Sequence, residues 1–257
     1  MEKLNSLIER IKREAKTLLI FDYDGTLAPI QDKPDMAFMN PMLCSALENL
    51  SKLHYLKIAV VTGRSIKDLK KLSGLNTPDI CVFGIHGGEI EVQGKIINSA
   101  DNKKILDTIN DISSKLKNRC NKMDGIIIEN KKYSVALHYR LANEPQPALD
   151  AFYDIIKEYE DGGLFKIQKG KKVIELLPLE FSKDNAVSGI IKANKGYLPI
   201  CFGDDVTDIS GFHEVHKSAG YAVGIKPMPF ENDNLVDFEI EQNELEKFLI
   251  HLNSAYV

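Results

Sequence analysis

This 257-residue sequence contains no tryptophan and only four cysteines. No two cysteines lie at the C-x-x-C spacing of a metal-binding pair, so we expect buried free thiols in a reducing compartment. The chain also lacks an apolar stretch long enough to span a bilayer and the uninterrupted apolar core of a signal peptide. These absences predict a cytoplasmic protein that is neither secreted nor inserted into a membrane. The cysteines are Cys44, Cys81, Cys120 and Cys201.

The charge of the chain argues against nucleic acid as a partner. The net charge is -4, the pI is about 5.9, and no segment is rich in Lys and Arg. Proteins that bind nucleic acid usually carry a basic surface, so we expect none to bind here. The 44% hydrophobic and 27% charged content is ordinary for a globular protein. The length allows one large domain or two modest ones.

An apolar run that ends in an acidic loop is the most informative segment. Residues 18–21 are typical of a strand buried on both faces, and Asp22, Asp24 and Gly25 follow it. In α/β sheets, ligands collect at the carboxyl ends of such strands. Two carboxylates this close repel each other unless a cation lies between them or one of them takes up a proton. The loop therefore predicts either a bound cation or a carboxylate that takes up a proton.

Two patterns of elements divide the chain. Up to about residue 98, and again after Pro178, apolar strands alternate with helical patterns, which predicts a parallel sheet. Between them, an α-β-β-α-β-β order with alternating strands and polar turns predicts an antiparallel sheet. We predict an α/β protein with a doubly wound parallel-sheet core, residues 1–98 and 179–257, and a smaller inserted α+β domain, residues 99–178. The predicted core strands cover residues 18–21, 56–61, 80–83, 198–202 and, as the final strand, 220–225.

Three predicted core strands end in loops that carry oxygen or donor groups. Because the carboxyl ends of parallel strands share one edge, we expect these groups to lie together. The five carboxylates among them need a hard divalent cation, and Mg²⁺ suits a site of carboxylates, a backbone carbonyl, waters and a phosphate. The three groups are Asp22 with Asp24, Thr62 with Arg64, and Asp204 with Asp205 and Asp208.

Other interpretations of these residues are weaker. Taken singly, an Asp at a strand end is better explained as a helix cap than as a ligand, and it is the occurrence of three such groups at equivalent strand ends that favours a site. A calcium-binding EF-hand loop is excluded, because its required glycine and glutamate positions hold Leu27 and Lys33. The sequence also lacks the G-x-S-x-G elbow of serine hydrolases and a Walker A loop.

Four motifs occur in a fixed order: Asp22-Tyr23-Asp24-Gly25-Thr26, Val61-Thr62-Gly63-Arg64, Lys183, and Gly203-Asp204-Asp205-Val206-Thr207-Asp208. They resemble the four motifs of the haloacid dehalogenase superfamily of phosphatases. Within it, residues 22–29, 84–89, 134–140 and 172–175 resemble the trehalose-6-phosphate phosphatases. The resemblance covers most of the chain and implies a haloacid dehalogenase-like core with an inserted cap.

The resemblance implies a role for each motif. Asp22 would attack phosphorus to form an aspartyl-phosphate, and Asp24 would protonate the leaving oxygen and then activate water. Mg²⁺ would be held by Asp22, the backbone carbonyl of Asp24, and Asp204. Lys183 and Thr62 would contact the phosphoryl oxygens.

Two features of these motifs are less well defined. Asp205 and Asp208 would orient waters and Lys183, and the sequence does not rank them. The family usually has Gly after the motif lysine, whereas this chain has Asp184.

Specificity for the sugar is expected from residues outside the phosphate site, because a site that grips only phosphate cannot distinguish sugars. By resemblance, the candidates for substrate binding are Arg64, His86, Glu89, Arg140 and Glu175. The alternative for Arg140 is a solvated charge at a strand end, and for Glu175 an outward-facing residue. His86 lies between glycines and is equally consistent with a histidine that stabilises the loop.

We therefore predict a monomeric, Mg²⁺-dependent phosphatase whose partner is a small sugar phosphate, with trehalose 6-phosphate as the expected substrate. A phosphatase for sucrose 6-phosphate or mannosylglycerate phosphate, or a phosphohexomutase, is the alternative among enzymes. A catalytically silent domain that senses a phosphosugar is the alternative of another class. The presence of both Asp22 and Asp24 favours an enzyme, because a binding module needs no nucleophile beside an acid.

Overall fold

The computed structural model describes residues 2–98, 103–159, 163–229 and 234–256. Two compact units are present: Met1–Ile97 together with Ser182–Val257, and Asn98–Phe181. The sequence-based division falls at residues 98/99 and 178/179, and the predicted start of the inserted domain, residues 99–102, lies outside the described residues. That the second unit serves as a cap stays a prediction.

The helices and strands follow the chain in this order. The helices are α1 Glu2–Arg13, α2 Pro41–Ser51, α3 Ile66–Ser73, α4 Lys103–Cys120, α5 Gln146–Lys157, α6 Lys183–Ala193, α7 Ile209–Lys217 and α8 Gln242–Tyr256. The strands are β1 Thr17–Phe21, β2 Leu56–Val61, β3 Ile80–Gly84, β4 Glu89–Val92, β5 Lys95–Asn98, β6 Ile127–Asn130, β7 Val135–His138, β8 Phe165–Gly170, β9 Val173–Pro178, β10 Leu198–Gly203, β11 Tyr221–Lys226 and β12 Phe238–Glu241.

The first unit contains an eight-stranded sheet in the order β12-β11-β10-β1-β2-β3-β4-β5. The strands from β12 to β3 pair in parallel, and β4 is antiparallel to β3. The strand order reverses at β1, which pairs with β2 on one side and with β10 on the other. Ligands bind at such switch points in α/β sheets. The predicted doubly wound α/β core is therefore confirmed.

Apolar side chains cover both faces of this sheet. On one face, alternate residues of the parallel strands pack with α1, α2, α3 and α8, and on the other face with α6 and α7. Because β1 is buried along its whole length, its sequence is apolar without alternation. Helix α1 is amphipathic, because Leu7, Ile8 and Ile11 are buried among exposed charged residues.

The second unit contains a four-stranded antiparallel sheet in the order β6-β7-β9-β8. Its helix α4 buries Ile105, Ile109, Ile112 and Leu116 at helical spacing. The turn between β8 and β9 is tight, because β8 continues to Gly170 and Lys172 has a left-handed backbone, with φ of 63°. Across the sheet, the register aligns Glu129 with Ala136, Ala136 with Glu175, and Glu175 with Gln168.

Two strand predictions for the first unit are wrong. Strand β11 is not the last, because β12 follows and pairs with it in parallel. The hairpin formed by β4 and β5 is also missing from the prediction. Strands β4, β5 and β12 are only four residues long, and β5 and β12 form the two edges of the sheet, so each gives a weak signal for a strand.

Two predictions from the absences can be compared with the structure. All four cysteines are free, Cys120 and Cys201 are buried, and Cys44 and Cys81 are half-buried. Among residues 2–98, 103–159, 163–229 and 234–256, no helix combines the length and apolar character needed to cross a membrane.

Candidate active site

Three carboxylates meet at the carboxyl ends of the parallel strands. Asp22 follows β1, while Asp204 and Asp208 follow β10, and one oxygen of each lies within 4.8 Å of the others. We call these three residues the carboxylate cluster. All are buried, with Asp22 8%, Asp204 2% and Asp208 3% exposed. Adjacent parallel strands bring the groups together because Phe21 of β1 pairs with Phe202 of β10.

Two glycines leave room for the cluster. Gly25 has a φ of 90°, and a Cβ atom there would lie 2.1 Å from an oxygen of Asp204. A Cβ atom on Gly203 would lie 2.3 Å from the Asp208 carboxyl carbon. Both distances are far below van der Waals contact, so neither site accepts a side chain without moving a carboxylate. Gly25 is needed for its backbone conformation as well as for its size.

Lys183 connects two members of the cluster. Its Nζ donates to Asp22 Oδ1 at 2.7 Å and to Asp208 Oδ1 at 2.6 Å. Helix α6 begins at this residue, with Ser182 as its N-cap. Burial alone would lower the pKa of Lys183, but Asp208 and Asp22 outweigh it and raise the pKa above its ordinary value. The amine is therefore held as a cation, against the general expectation that a lone Lys is a solvated surface residue.

Asp208 and Asp205 differ sharply in their surroundings. Asp208 Oδ2 accepts from the backbone N–H groups of Asp204 and Asp205, each at 3.0 Å, while its other oxygen faces Lys183. The side chain of Asp205 accepts from the backbone N–H of Val206 at 2.8 Å. Asp208 is thus part of the cluster and organises its loop, whereas Asp205 caps the turn that follows. The sequence did not separate these two residues.

Arg64 holds Asp24 through two hydrogen bonds. The Nε and one terminal nitrogen of Arg64 donate to the two carboxylate oxygens of Asp24 at 2.7 and 2.5 Å. The guanidinium carbon also lies 5.6 Å from the centre of the Tyr23 ring. Such a bidentate pair fixes the direction of a carboxylate more strongly than a single contact. The cluster therefore contains Asp22 but not the Asp24 side chain, which faces Arg64.

The electrostatics of Asp22 agree with a cation site. Burial raises the pKa of Asp22 well above its ordinary range, Lys183 opposes this, and Asp208 and Asp204 add to it. A divalent cation among the three carboxylates would favour their ionised forms. Buried carboxylate oxygens are ligands that suit Mg²⁺. The residues present therefore fit a metal ion held by the cluster.

Thr62, His86 and Glu89 lie around the loop that follows β2. Thr62 is 1% exposed, and its Oγ1 accepts from the backbone N–H of Arg64 at 3.1 Å. His86 is also buried, and its backbone N–H donates to the Thr62 carbonyl oxygen at 2.9 Å. The carboxylate of Glu89 accepts from the backbone N–H of Ile66 at 2.9 Å. Contact of His86 or Glu89 with a sugar stays a prediction.

The remaining predicted substrate residues belong to the second unit. Glu175 is 5% exposed, so it does not face solvent. Its two oxygens accept from Ser134 Oγ at 2.5 Å and from Lys131 Nζ at 3.1 Å. Arg140 donates to the carbonyl oxygen of Lys171 at 2.8 Å. Sequence analysis did not identify Lys131 as a site residue, because it occupies a polar turn that looks solvated.

A second pair lies on the same face of this sheet. His138 Nε2 and Glu129 Oε2 are 2.8 Å apart. The pKa of Glu129 is lowered: burial raises it, but Lys131 and His138 outweigh the burial. Glu129 and Glu175 are adjacent across Ala136 in the register. The face thus presents two carboxylates, each with a cationic or polar partner, and period-two alternation on β6, β7 and β9 is the only signal that could have grouped them.

Comparisons with known proteins identify the family of this chain. The family described as Trehalose-phosphatase matches residues 20–238. The chain belongs to the trehalose-phosphatase family. A probable trehalose-phosphate phosphatase of Sinorhizobium fredii is 32% identical over 81% of this chain and 77% of its own length. Probable trehalose-phosphate phosphatase G of Arabidopsis thaliana is 28% identical over 92% of this chain and 68% of its own length.

Solved structures show the same fold. The C-terminal domain of C. albicans trehalose-6-phosphate phosphatase has a TM-score of 0.80 at 23% identity and covers 98% of this chain and 96% of that one. A haloacid dehalogenase-like hydrolase from Bacteroides thetaiotaomicron has a TM-score of 0.67 at 12% identity and covers 92% of this chain and 99% of that one. The predicted haloacid dehalogenase-like fold is confirmed, and membership of the trehalose-phosphatase family identifies the chain as a phosphoric monoester hydrolase.

Proposed function

We propose that this chain hydrolyses trehalose 6-phosphate to trehalose and phosphate through an aspartyl-phosphate on Asp22, with Mg²⁺ as cofactor. The observation that carries the proposal is the meeting of Asp22, Asp204 and Asp208 with Lys183 at the switch point of the parallel sheet. Family membership supports the substrate, because the relatives compared above are named trehalose-phosphate phosphatases.

The reaction has two steps. In the first, an oxygen of Asp22 attacks phosphorus, the bond from phosphorus to the sugar oxygen breaks, and Asp24 gives a proton to that oxygen. In the second, water attacks phosphorus, Asp24 takes a proton from the water, and the bond from phosphorus to Asp22 breaks. Asp24 ends each cycle as it began, and one hard hydrolysis becomes two easier steps.

Charge stabilisation comes from the groups around Asp22. Lys183, which already contacts Asp22 and Asp208, would bind the phosphoryl oxygens together with the Thr62 hydroxyl. Asp22, the backbone carbonyl of Asp24, and Asp204 would hold Mg²⁺, which when bound supplies positive charge to the phosphoryl group. Asp208 keeps Lys183 and the 204–208 loop in place.

The sugar would be recognised by directional hydrogen bonds from the second unit. Glu175 and Arg140 are the proposed contacts, since carboxylate and guanidinium groups distinguish hydroxyls by direction. Support for Glu175 comes from its fixed orientation between Lys131 and Ser134. The second unit would act as the cap that excludes water during transfer. A monomeric state and a cytoplasmic location stay predictions.

A panel of phosphorylated sugars tests the proposal. Phosphate release is measured with trehalose 6-phosphate, sucrose 6-phosphate, mannosylglycerate phosphate and glucose 6-phosphate, with Mg²⁺ or with a chelator. We expect preference for trehalose 6-phosphate, loss of activity with chelator, and loss in Asp22→Asn. Equal cleavage of glucose 6-phosphate would overturn the substrate but not the mechanism.

The same panel separates the alternatives. Transfer of phosphate between positions of one sugar, without release, would indicate a phosphohexomutase. Binding of a sugar phosphate without turnover would indicate a sensing domain. Full activity in Asp22→Asn would overturn the aspartyl-phosphate mechanism.

A further inference from the structure

Segment 84–89 is attached to the loop that follows β2 by two backbone hydrogen bonds. The N–H of Ile85 donates to the carbonyl oxygen of Arg64 at 2.8 Å, and the N–H of His86 donates to the carbonyl oxygen of Thr62 at 2.9 Å. Both acceptors belong to residues with roles in the proposed mechanism: Thr62 at the phosphoryl group, and Arg64 as the partner of Asp24. The segment therefore holds the backbone on either side of Gly63.

A side chain of the same segment holds the far end of this loop. Glu89 Oε2 accepts from the N–H of Ile66, the first residue of α3, at 2.9 Å. The first N–H groups of a helix have no partner within the helix, so an external carboxylate satisfies one of them and suits the positive end of the helix. Ser65 caps the N–H of Asp68 at 3.1 Å. The start of α3 is thus held from both sides.

The fit between the two segments leaves no room for extra atoms. A Cβ atom on Gly63 would lie 2.7 Å from Nε2 of the His86 ring, and a Cβ atom on Gly84 would lie 2.9 Å from the carbonyl oxygen of Arg64. Close packing of this kind makes the position of one segment depend on that of the other.

The backbone of the segment is strained. Ile85 has a φ of 48° and His86 a φ of 53°. A β-branched residue rarely adopts a positive φ. Such conformations persist where the surroundings over-determine them, and they are common at functional sites. Here the hydrogen bonds to Thr62 and Arg64 and the burial of both side chains supply that constraint.

We propose that segment 84–89 is a brace for the catalytic loop, in which His86 and Glu89 are positioning residues that act through Thr62 and Arg64. His86 fills the space beside Gly63, and Glu89 fixes the start of α3. The proposal rests on the proposed function, because it assigns Thr62 to the phosphoryl group. It differs from the expectation that His86 and Glu89 contact the sugar.

Three variants test the brace in the full chain with Mg²⁺. Glu89→Ala removes the acceptor for Ile66, and Glu89→Gln keeps one oxygen of similar position. Glu91→Gln, two residues along β4, is the matched control, because Glu91 pairs with Lys70 at 2.6 Å rather than with the loop. Each variant is assayed with trehalose 6-phosphate and with p-nitrophenyl phosphate, which has no sugar hydroxyls. Its affinity for inorganic phosphate is measured by calorimetry.

We expect Glu89→Ala to lower kcat/KM about tenfold for both substrates, because small displacements of positioned groups are costly. Its affinity for inorganic phosphate should fall by a similar factor. Glu89→Gln should recover most of each loss, and Glu91→Gln should match the wild type. A purely structural role would leave the phosphate affinity of the folded protein unchanged. If Glu89→Ala does not fold, Gly63→Ala, which pushes on His86, is measured in the same way and should show the same losses.

Several results would overturn the brace. A loss confined to trehalose 6-phosphate would make Glu89 a sugar contact. Unchanged phosphate affinity, or no loss with either substrate, would remove the positioning role. A wild-type chain that hydrolyses neither substrate would overturn the proposed function and the brace with it, whereas normal wild-type activity with unaffected variants overturns the brace alone.

Discussion

Buried carboxylates occur in both units of this protein, but they are arranged in opposite ways. In the first unit, Asp22, Asp204 and Asp208 place oxygens within 4.8 Å of one another. In the second unit, the oxygens of Glu175 accept from Lys131 and Ser134. In the first region three carboxylates are gathered and two of them share one cation, Lys183, whereas in the second a single carboxylate has two donors.

The difference follows from what each region is proposed to bind. Asp208 and Asp204 help to raise the pKa of Asp22, and an added cation would favour the ionised carboxylate. A carboxylate fixed between a lysine and a hydroxyl has a set direction, which suits recognition of hydroxyl groups. The first arrangement is suited to holding a cation beside a phosphate ester. The second is suited to distinguishing sugars by the direction of their hydroxyl groups.

Among the variants predicted here, removal of Lys183 should cause the largest loss of kcat. In Lys183→Met, Asp22 and Asp208 lose the ammonium group that lies 2.7 and 2.6 Å from them, and the phosphoryl group loses a cationic partner. We expect kcat for trehalose 6-phosphate to fall about 10³-fold, as for the loss of a donor that stabilises a transition state. The exposed Lys192 on the same helix provides the control Lys192→Met. A loss of kcat in both variants, or in neither, would contradict the role of Lys183.

A comparison of Asp208 with Asp205 should give the next largest effect. In Asp208, one carboxylate oxygen accepts from Lys183 and the other accepts from two backbone N–H groups. Asp208→Asn replaces one of these oxygens with an NH2 group, which cannot accept. Asp205→Asn can still accept from Val206 through its amide oxygen. We expect kcat to fall about 10²-fold in Asp208→Asn and less than about threefold in Asp205→Asn. Steady-state kinetics on the two purified variants checks this order, and equal losses would contradict it.

In the second unit, removal of Lys131, the cationic partner of Glu175, should change KM for the sugar phosphate rather than kcat. Lys131→Met leaves Glu175 with a buried charge, since both side chains are under 10% exposed, at 8% and 7%. We expect the free energy of unfolding to fall by about 3 kcal/mol, as when one partner of a buried pair is removed. KM for trehalose 6-phosphate should rise about tenfold through misplacement of Glu175.

The measurements for Lys131→Met are urea unfolding and steady-state kinetics with two substrates. The value of kcat for p-nitrophenyl phosphate should stay at the wild-type level, because that substrate lacks the sugar. The exposed Lys117 of α4 gives the control Lys117→Met. If Lys131→Met lowered kcat with p-nitrophenyl phosphate as strongly as with the sugar phosphate, the second unit would not act in sugar recognition alone.

The sequence was most informative where one residue pattern determines one structure. Apolar runs such as β1 and β2 are buried on both faces of the sheet, so periodicity located them, and the acidic loops at their ends could be assigned to one edge. Strands β4, β5 and β12 were not predicted, because a strand of only four residues carries too little signal. The membership of Asp22 and Asp204 in one cluster follows from strand order alone.

Contacts that depend on register and turn geometry could not be predicted in this way. The pairing of Arg64 with Asp24 spans 40 residues, and that of Lys131 with Glu175 spans 44. Their geometry is set by how side chains on separate loops or strands face each other. The left-handed backbone at Ile85 is equally hidden, because isoleucine gives no hint of a positive φ. Sequence analysis therefore grouped the residues at the strand ends better than it found the residues that contact them.

The smallest expected effect concerns the hydroxyl that orients Glu175. Ser134 is fully buried, and its Oγ donates to Glu175 Oε1 at 2.5 Å. Ser134→Ala keeps the Lys131 contact and removes one neutral donor, which stabilises a charged acceptor by about 1.5–3 kcal/mol at most. We expect KM for trehalose 6-phosphate to rise about threefold with kcat unchanged, since Lys131 still restrains the carboxylate. Steady-state kinetics beside Ser114→Ala, an exposed serine of α4, checks this. A larger rise in KM than in Lys131→Met would mean that the orientation of the Glu175 carboxylate, and not its charge balance with Lys131, determines sugar binding.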